Sequence, residues 1–381
     1  MARTRSPEPR VRSSRPELPA LEPLSVALPD PFPLHSGGVL HGARIAYESW
    51  GKLNADKSNA ILLFTGLSPP AHAAANERDP NPGWWQRMIG PGLAIDTSRY
   101  HVMCVNSLGS CFGSTGAAST NPATGQRYRL DYPEVTVEDI ARAGWEAAQA
   151  LGIRKLDTVM GPSLGGMTVL AFAAQFPEGA KRLVSISGSP AASPFAIALR
   201  SVQREAILRD PDWMGGQYEP DKPPRSGLRV ARKLGTITYR SAAEWRQRFG
   251  REPIAGNALR ASPFAPRFAV EGYLEAQAEK FTRLFDPNCY LYLSRAMDRF
   301  DLAEHGGSYA AAFEGCGIEK ALVIGVESDM LYPIHEQHAI ADALEQAGVA
   351  TRFSRLPSIE GHDAFLVDIP RFDAEIRAFL A

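Results

Sequence analysis

The chain has 381 residues, 44% hydrophobic and 22% charged, a composition typical of a soluble globular protein that is long enough to bury a large core. Its 41 Lys and Arg residues nearly balance 42 Asp and Glu residues, which gives no electrostatic reason to expect nucleic acid or a membrane surface as a partner. No apolar run reaches the roughly 18 residues of a spanning helix, and four cysteines without CxxC spacing favour a reducing cytoplasm.

The N-terminal segment is rich in proline: eight of the 30 prolines lie in the first 33 residues. Because proline removes backbone donors and breaks helical periodicity, residues 1–34 are predicted to form a disordered tail. A transit peptide is the alternative, but the prolines and three glutamates of this segment are unfavourable to it.

From residue 35, short apolar runs alternate with helical patterns. Residues 38–51 are predicted to form a strand hairpin. Buried strands are predicted within residues 59–65, 100–105, 156–160 and 182–186, and helices over 137–151 and 164–176. Such alternation predicts an α/β fold with a mostly parallel sheet flanked by helices.

The alternation stops after Gly188 and resumes at Lys320. In between, helical patterns cover residues 194–209, 228–234, 242–249 and 272–285. Afterwards strands are predicted at 320–326 and 351–356, and helices at 336–347 and 370–380. We therefore expect an α/β core over residues 35–188 and 311–381 that is interrupted by a helical lid insertion over 189–310.

The sharpest motif is G-x-S-x-G at residues 161–165, which lies between a predicted strand and a predicted helix. A nucleophile on such a strained turn needs small residues two positions away. The N-terminus of the following helix favours the negative charge that develops during acyl transfer. The motif predicts Ser163 as a catalytic nucleophile.

A serine nucleophile needs a base and an acid, which follow it in the order acid, then histidine, in α/β-hydrolases. His362 is the histidine that follows the last predicted strand. The acid is expected after the preceding strand, where Asp329 is the candidate and Glu327 the alternative. His335 and His338 lie on a predicted helix, face solvent and lack a third ligand, so no metal site is predicted.

An oxyanion site of backbone N–H groups is expected beside the nucleophile. The first donor is Leu164, and the second belongs to the loop after the early strand, where Leu67 or Ser68 can donate. Pro69 and Pro70 have no N–H to offer.

Many separate segments resemble the homoserine O-acyltransferase family of the α/β-hydrolases, over about residues 35–381. They are GWW (83–85), IGPG (89–92), NSLG (106–109), GSTG (113–116), GPSLGGM (161–167), GLRVAR (227–232), ITY (237–239), SDMLYP (328–333) and GHDAFL (361–366).

The resemblance implies a ping-pong acyl transfer, with Ser163 attacking an acyl-CoA thioester, His362 as base and Asp329 orienting it. It also implies that Arg232 binds the carboxylate of an amino-acid acceptor and that Asp363 binds its ammonium group. No bound cofactor is expected, and the family suggests a homodimer joined through the helical insertion.

The chain departs from the family at two points: Pro162 stands where glycine is common, and residues 65–72 replace a His-Ala-Leu-Thr-Gly type of loop. These departures resemble the branch that acylates L-serine with succinyl-CoA as co-substrate. The residues expected to set acceptor choice are Ser68, Pro69, Pro70 and Ala71.

Arg200 is expected in the acyl pocket as the partner of a succinyl carboxylate, since a buried arginine facing a neutral acetyl group would be an unpaired charge. Homoserine as acceptor, with acetyl- or succinyl-CoA, is the nearest alternative, because one methylene is worth only about 1–3 kcal/mol. A plain esterase shares the triad, but it has no need of Arg232 or Asp363 to hold a zwitterion.

Overall fold

The computed structural model describes residues 23–254 and 263–381. The strands are β1 Leu24–Ala27, β2 Phe32–Pro33, β3 Val39–Leu40, β4 Arg44–Trp50, β5 Ala60–Phe64, β6 Ile89–Gly90, β7 Ile95–Asp96, β8 His101–Val105, β9 Leu156–Pro162, β10 Ala180–Ile186, β11 Lys320–Val326 and β12 Ala350–Leu356.

The helices are α1 Val137–Ala150, α2 Leu164–Gln175, α3 Pro194–Leu208, α4 Arg225–Thr238, α5 Ala242–Phe249, α6 Ala269–Thr282, α7 Pro287–Arg299, α8 Ile334–Gln346, α9 Ala364–Val367 and α10 Ile369–Leu380. Short 3₁₀ segments are Arg129–Asp131, Pro211–Gly216, Leu302–Glu304, Ala311–Phe313 and Gly361–Asp363. Within the described ranges, no helix is both long and apolar enough to cross a bilayer.

Eight strands form one sheet in the order β1-β4-β8-β5-β9-β10-β11-β12. Six strands run parallel to one another: β8, β5, β9, β10, β11 and β12. β4 pairs antiparallel with both β1 and β8. The predicted α/β-hydrolase fold, a mostly parallel sheet flanked by helices, is confirmed.

Burial on both faces explains why the central strands are continuously apolar. Every residue of β5 and β8 is buried, as expected for parallel strands covered by helices on each side. One apolar cluster contains residues of α1, α2 and α8, and a second contains residues of α9 and α10. The carboxyl ends of the parallel strands therefore remain the natural place for a site.

The predicted tail is too long at its C-terminal end. Residues 1–22 lie outside the described residues, but β1 and β2 fall inside the predicted tail, and Leu28 and Phe32 are buried. Within residues 23–254 and 263–381, β1 lies at the edge of the sheet and pairs with β4 alone. An edge strand tolerates flanking prolines, so proline content alone misplaced the boundary.

The hairpin predicted over residues 38–51 is also wrong. β3 pairs with β2 in a separate two-stranded sheet, whereas β4 joins the main sheet. Alternation identified both strands, but pairing depends on partners that lie elsewhere in the chain.

Among the described residues between β10 and β11, five α-helices, α3 to α7, are present. α3 packs against α4 and α7, and α4 packs against α6. Helix α7 was not predicted, although its start carries a recognisable signal: Asp286 caps the helix and Pro287 occupies its first turn.

Candidate active site

Ser163 stands on a sharp turn between β9 and α2, with φ +58° and ψ −120°. The glycines of the motif are required by space. A Cβ on Gly161 would lie 2.6 Å from the backbone of Gly165, and one on Gly165 would lie 2.4 Å from the carbonyl oxygen of Phe64. This crowding holds Ser163 in a positive-φ conformation that is costly for a residue with a side chain.

Ser163, His362 and Asp329 form a continuous chain of contacts. His362 Nε2 lies 2.8 Å from Ser163 Oγ, and His362 Nδ1 lies 2.7 Å from Asp329 Oδ2. The structure therefore brings together the three predicted side chains from three separate loops, with the geometry of a nucleophile, a base and an orienting acid.

The structure distinguishes between the two candidate acids. Asp329 is 4% exposed, and its Oδ1 accepts hydrogen bonds from the backbone N–H groups of Leu331 and Tyr332, which leaves Oδ2 for His362. Glu327 instead pairs with Arg355 at the surface. Asp329 is the carboxylate in contact with His362.

His362 is 2% exposed and is packed among the rings of Tyr239, Tyr332 and Phe365, with centroid distances of 5.7, 5.2 and 6.1 Å. Burial lowers the pKa of His362, but the negative charge and hydrogen bond of Asp329 outweigh this effect, so the pKa lies above the usual value of a histidine. This balance favours an imidazole that accepts a proton from Ser163.

The loop after β5 approaches the nucleophile closely. A Cβ on Gly66 would lie 3.8 Å from Ser163 Cβ. Neither the N–H of Leu67 nor that of Leu164 donates to a backbone carbonyl in residues 23–254 or 263–381. Both are free to meet a developing oxyanion, as expected for the first residue of a helix and for the facing loop.

Arg232, on α4, reaches this same loop. Its Nη1 donates to Ser68 Oγ at 3.1 Å, and its guanidinium lies 4.7 Å from the ring of Phe281 and 5.8 Å from that of Tyr239. Its Nε is buried and has no partner in the described part of the chain. A buried donor without an acceptor is costly, so Arg232 is prepared to bind an anion.

Asp363 follows His362 directly and lies 3.4 Å from Arg240 Nε. Burial raises the pKa of the Asp363 carboxyl, and the charges of Arg240, His362 and Arg232 oppose that rise. Arg240 was not predicted. It also pairs with Glu360 at 2.8 Å and with Glu244, one helical turn further along the chain, at 3.8 Å. The local pair does not point to the site, because Glu360 and Asp363 lie about 120 residues away.

The loop expected to set acceptor choice is fixed from both sides. Pro70 O accepts a hydrogen bond from Trp84 Nε1 at 3.0 Å, and Ala71 is buried. His72 Nδ1 lies 2.8 Å from Glu48 Oε2, and His72 Nε2 lies 2.8 Å from the Asn81 carbonyl oxygen. The residues Ser68, Pro69, Pro70 and Ala71 thus belong to a braced segment beside Ser163.

Arg200, predicted to meet an acyl carboxylate, is 5% exposed and already pairs with Asp298. Its Nη1 lies 3.3 Å from Tyr332 Oη, and the ring of Tyr332 packs against that of His362. Asp298 and Arg204, a second arginine on the same face of α3, were missed. The four-residue spacing of two arginines on one helix was the available signal.

Metal ligation finds no support in the described ranges, where no group of three or more His, Cys, Asp or Glu side chains is placed to hold an ion. His335 and His338 are exposed, as predicted. The four cysteines are free thiols.

The fold and site define an α/β-hydrolase with a serine nucleophile, and a family model described as alpha/beta hydrolase fold matches residues 59–368. A serine O-succinyltransferase from Stenotrophomonas maltophilia (strain K279a) is 58% identical, over 93% of this chain and 96% of its own length. The chain belongs to the homoserine O-acyltransferase family and is similar to its serine O-succinyltransferases.

Solved structures agree on the fold. A homoserine O-acetyltransferase from Bacillus anthracis is 28% identical with a TM-score of 0.85, over 94% of this chain and 96% of its own. Esterase E22, also 28% identical, has a TM-score of 0.83 over 94% of this chain and 100% of its own. One backbone therefore accommodates both acyl transfer and ester hydrolysis, so side chains must distinguish the two activities.

Proposed function

We propose that the chain is a serine O-succinyltransferase, which moves a succinyl group from succinyl-CoA to the hydroxyl of L-serine for cysteine synthesis. Identity above 50% to several curated serine O-succinyltransferases, over most of the chain, carries this conclusion. The arrangement of Ser163, His362, Asp329 and Arg232 supports it, because it supplies both a covalent carrier and a cation for the acceptor.

The reaction proceeds in two half-reactions of the same kind. In the first, Ser163 Oγ attacks the thioester carbonyl carbon as its proton passes to His362 Nε2, and the backbone N–H groups of Leu164 and Leu67 receive the oxyanion. The carbon–sulfur bond then breaks, and the CoA sulfur leaves with the proton from His362. The product is a succinyl ester on Ser163.

In the second half-reaction, His362 takes the proton of the acceptor hydroxyl, whose oxygen attacks the ester carbonyl carbon. The bond to Ser163 Oγ breaks and Ser163 recovers the proton from His362, so the enzyme returns to its initial state. In this proposal Arg232 binds the acceptor carboxylate and Asp363 its ammonium group. Both are charge-assisted contacts.

The acceptor is the finer part of the proposal. Arg232 is tied to Ser68, so the loop of Ser68, Pro69, Pro70 and Ala71 sets the distance between the acceptor carboxylate and Ser163. A loop stiffened by two prolines suits an acceptor of one defined length. Homoserine O-acetyltransfer is the second candidate, favoured by the similarity to the enzyme from Bacillus anthracis.

A four-way assay tests the proposal. Purified protein is mixed with serine or homoserine and with succinyl-CoA or acetyl-CoA, and thiol release is followed. We expect the highest kcat/KM for serine with succinyl-CoA. Turnover confined to homoserine would refute the acceptor assignment, and acceptor-independent hydrolysis would indicate an esterase. Ser163→Ala should abolish release with every pair.

We also propose a homodimer in the cytoplasm, with α3 and α4 of the helical insertion at the interface. Exposed apolar side chains on these helices support this arrangement: Phe195, Val202, Val230 and Ile237. A mass measured by light scattering should equal twice that of one chain, and Val202→Glu together with Val230→Glu should halve it. A single-chain mass for the unmodified protein would exclude the dimer.

A further inference from the structure

Three buried charged side chains form a cluster between α3 and α7: Arg200, Arg204 and Asp298. Their side chains are 6%, 9% and 4% exposed. Arg200 Nε donates to Asp298 Oδ1, and Arg204 Nη2 pairs with Asp298 Oδ2 at 2.6 Å. One carboxylate is thus shared by two guanidinium groups.

The cluster carries one surplus positive charge. Both arginines remain protonated at any physiological pH, and Asp298 is the carboxylate that pairs with them in the described part of the chain. Arg204 Nη1 is satisfied by Ser294 Oγ at 2.8 Å, a neutral partner. A buried charge without a counter-ion is strongly unfavourable, so the surplus calls for an anionic ligand.

The surplus charge has a free donor on Arg200, whose guanidinium contacts a residue packed against His362. Arg200 Nη2 is buried and without a partner among the described residues, while Arg200 Nη1 contacts Tyr332 Oη. Tyr332 lies with its ring 5.2 Å from that of His362, and its Oη donates to Met167 Sδ at 3.4 Å. Met167 is one helical turn beyond Ser163.

We propose that Arg204 is a positioning residue for acyl selectivity: by sharing Asp298 it keeps Arg200 only partly neutralised, so that Arg200 binds a carboxylate at the far end of the acyl chain. Without Arg204, Arg200 and Asp298 would form a neutral pair. The proposal rests on the proposed function, because it concerns which acyl-CoA supplies the group that is transferred to Ser163.

The test is the ratio of kcat/KM for succinyl-CoA to that for acetyl-CoA, with serine as acceptor. Arg204→Gln removes the charge and keeps a donor for Ser294, and Arg204→Met removes both. We expect each to lower the ratio by about tenfold, the effect of losing one charge-assisted contact, with acetyl-CoA turnover changed less than threefold. Arg204→Lys, which retains the charge, should keep most of the ratio.

Two further variants isolate the route through Arg200. In an Arg200→Met background, adding Arg204→Gln should not lower the ratio again, because the side chain proposed to bind the succinyl carboxylate is already gone. Arg209→Met is the matched control, since Arg209 lies just beyond the same helix, is exposed and pairs with Glu205. Its ratio should equal that of the unmodified protein.

The possible outcomes separate the two proposals. If the unmodified protein does not prefer succinyl-CoA, the proposed function fails. If it does prefer succinyl-CoA and Arg200→Met loses that preference, but both neutral variants of Arg204 retain it, the role of Arg204 is overturned. An equal loss with both acyl-CoA substrates would indicate a purely structural role and would also overturn it. If only one of the two neutral variants folds, its ratio alone decides the comparison.

Discussion

Replacing Arg232 with methionine separates acyl transfer from ester hydrolysis. Methionine keeps an unbranched apolar stem for packing on Phe281. It removes the guanidinium group that contacts Ser68, including the Nε donor that has no partner in the described part of the chain. The first half-reaction involves only the thioester and the residues around Ser163, so it should be unaffected. The second half-reaction should suffer, because the acceptor loses the partner of its carboxylate.

The magnitude follows from the contact that is lost. A hydrogen bond to a charged group contributes about 1.5–3 kcal/mol, which corresponds to a loss of roughly 10- to 150-fold in kcat/KM for serine. Because the contact is made before the transition state as well as in it, most of the loss should be a higher KM for serine.

The assay is a rapid-mixing measurement of thiol release. Without serine, the burst of CoA that accompanies acylation of Ser163 should keep its amplitude and rate, and only the serine-dependent phase should slow. Arg225→Met is the control, since Arg225 is an exposed arginine at the start of the same helix. A reduced burst in Arg232→Met, or an unchanged serine dependence, would contradict a role of Arg232 that is confined to acceptor binding.

Three further predictions address the base, the acceptor site and the turn. Asp329→Asn should lower kcat by about 10⁴-fold. It should also move the acid limb of the pH–rate profile, which is expected above pH 6.5 in the unmodified enzyme, to lower pH. The reason is that the carboxylate that raises the pKa of His362 is gone. Arg240→Gln should raise the pKa of Asp363 further, so that the KM for serine increases most at acid pH while the CoA burst is unchanged; a pH-independent KM would contradict this. Gly165→Ala should cost about 1–3 kcal/mol of unfolding free energy in urea titrations, since its Cβ meets a backbone carbonyl.

Local patterns predicted the core because each feature is encoded within a few residues. The fully buried strands β5 and β8 are continuous apolar runs, and the motif around Ser163 specifies its own turn. The order of acid and base along the chain then located Asp329 and His362. These predictions needed no knowledge of which segments pack together.

The missing features depend on contacts between distant residues. Arg240 is recognisable only once Asp363 and Glu360 lie beside it, and Asp298 only once α7 packs on α3. The edge strand β1 was missed for the same reason, because its partner β4 lies about 20 residues further along the chain. Sequence spacing predicts partners within one element, while buried ion pairs join elements whose packing is a property of the whole fold.

The core and the helical insertion carry different parts of the proposed chemistry. Ser163, Asp329 and His362 belong to the α/β core. The two arginines proposed to bind substrate carboxylates, Arg200 and Arg232, lie on α3 and α4. These helices pack together, and Gln203 on α3 donates to the carbonyl oxygen of Ala231, the residue before Arg232, at 3.1 Å. A shift of this helix pair relative to the core would therefore move both arginines with respect to Ser163. In the proposed mechanism, acyl selectivity and acceptor selectivity are thus coupled through one helix pair, whereas the contacts among Ser163, His362 and Asp329 are set by the core.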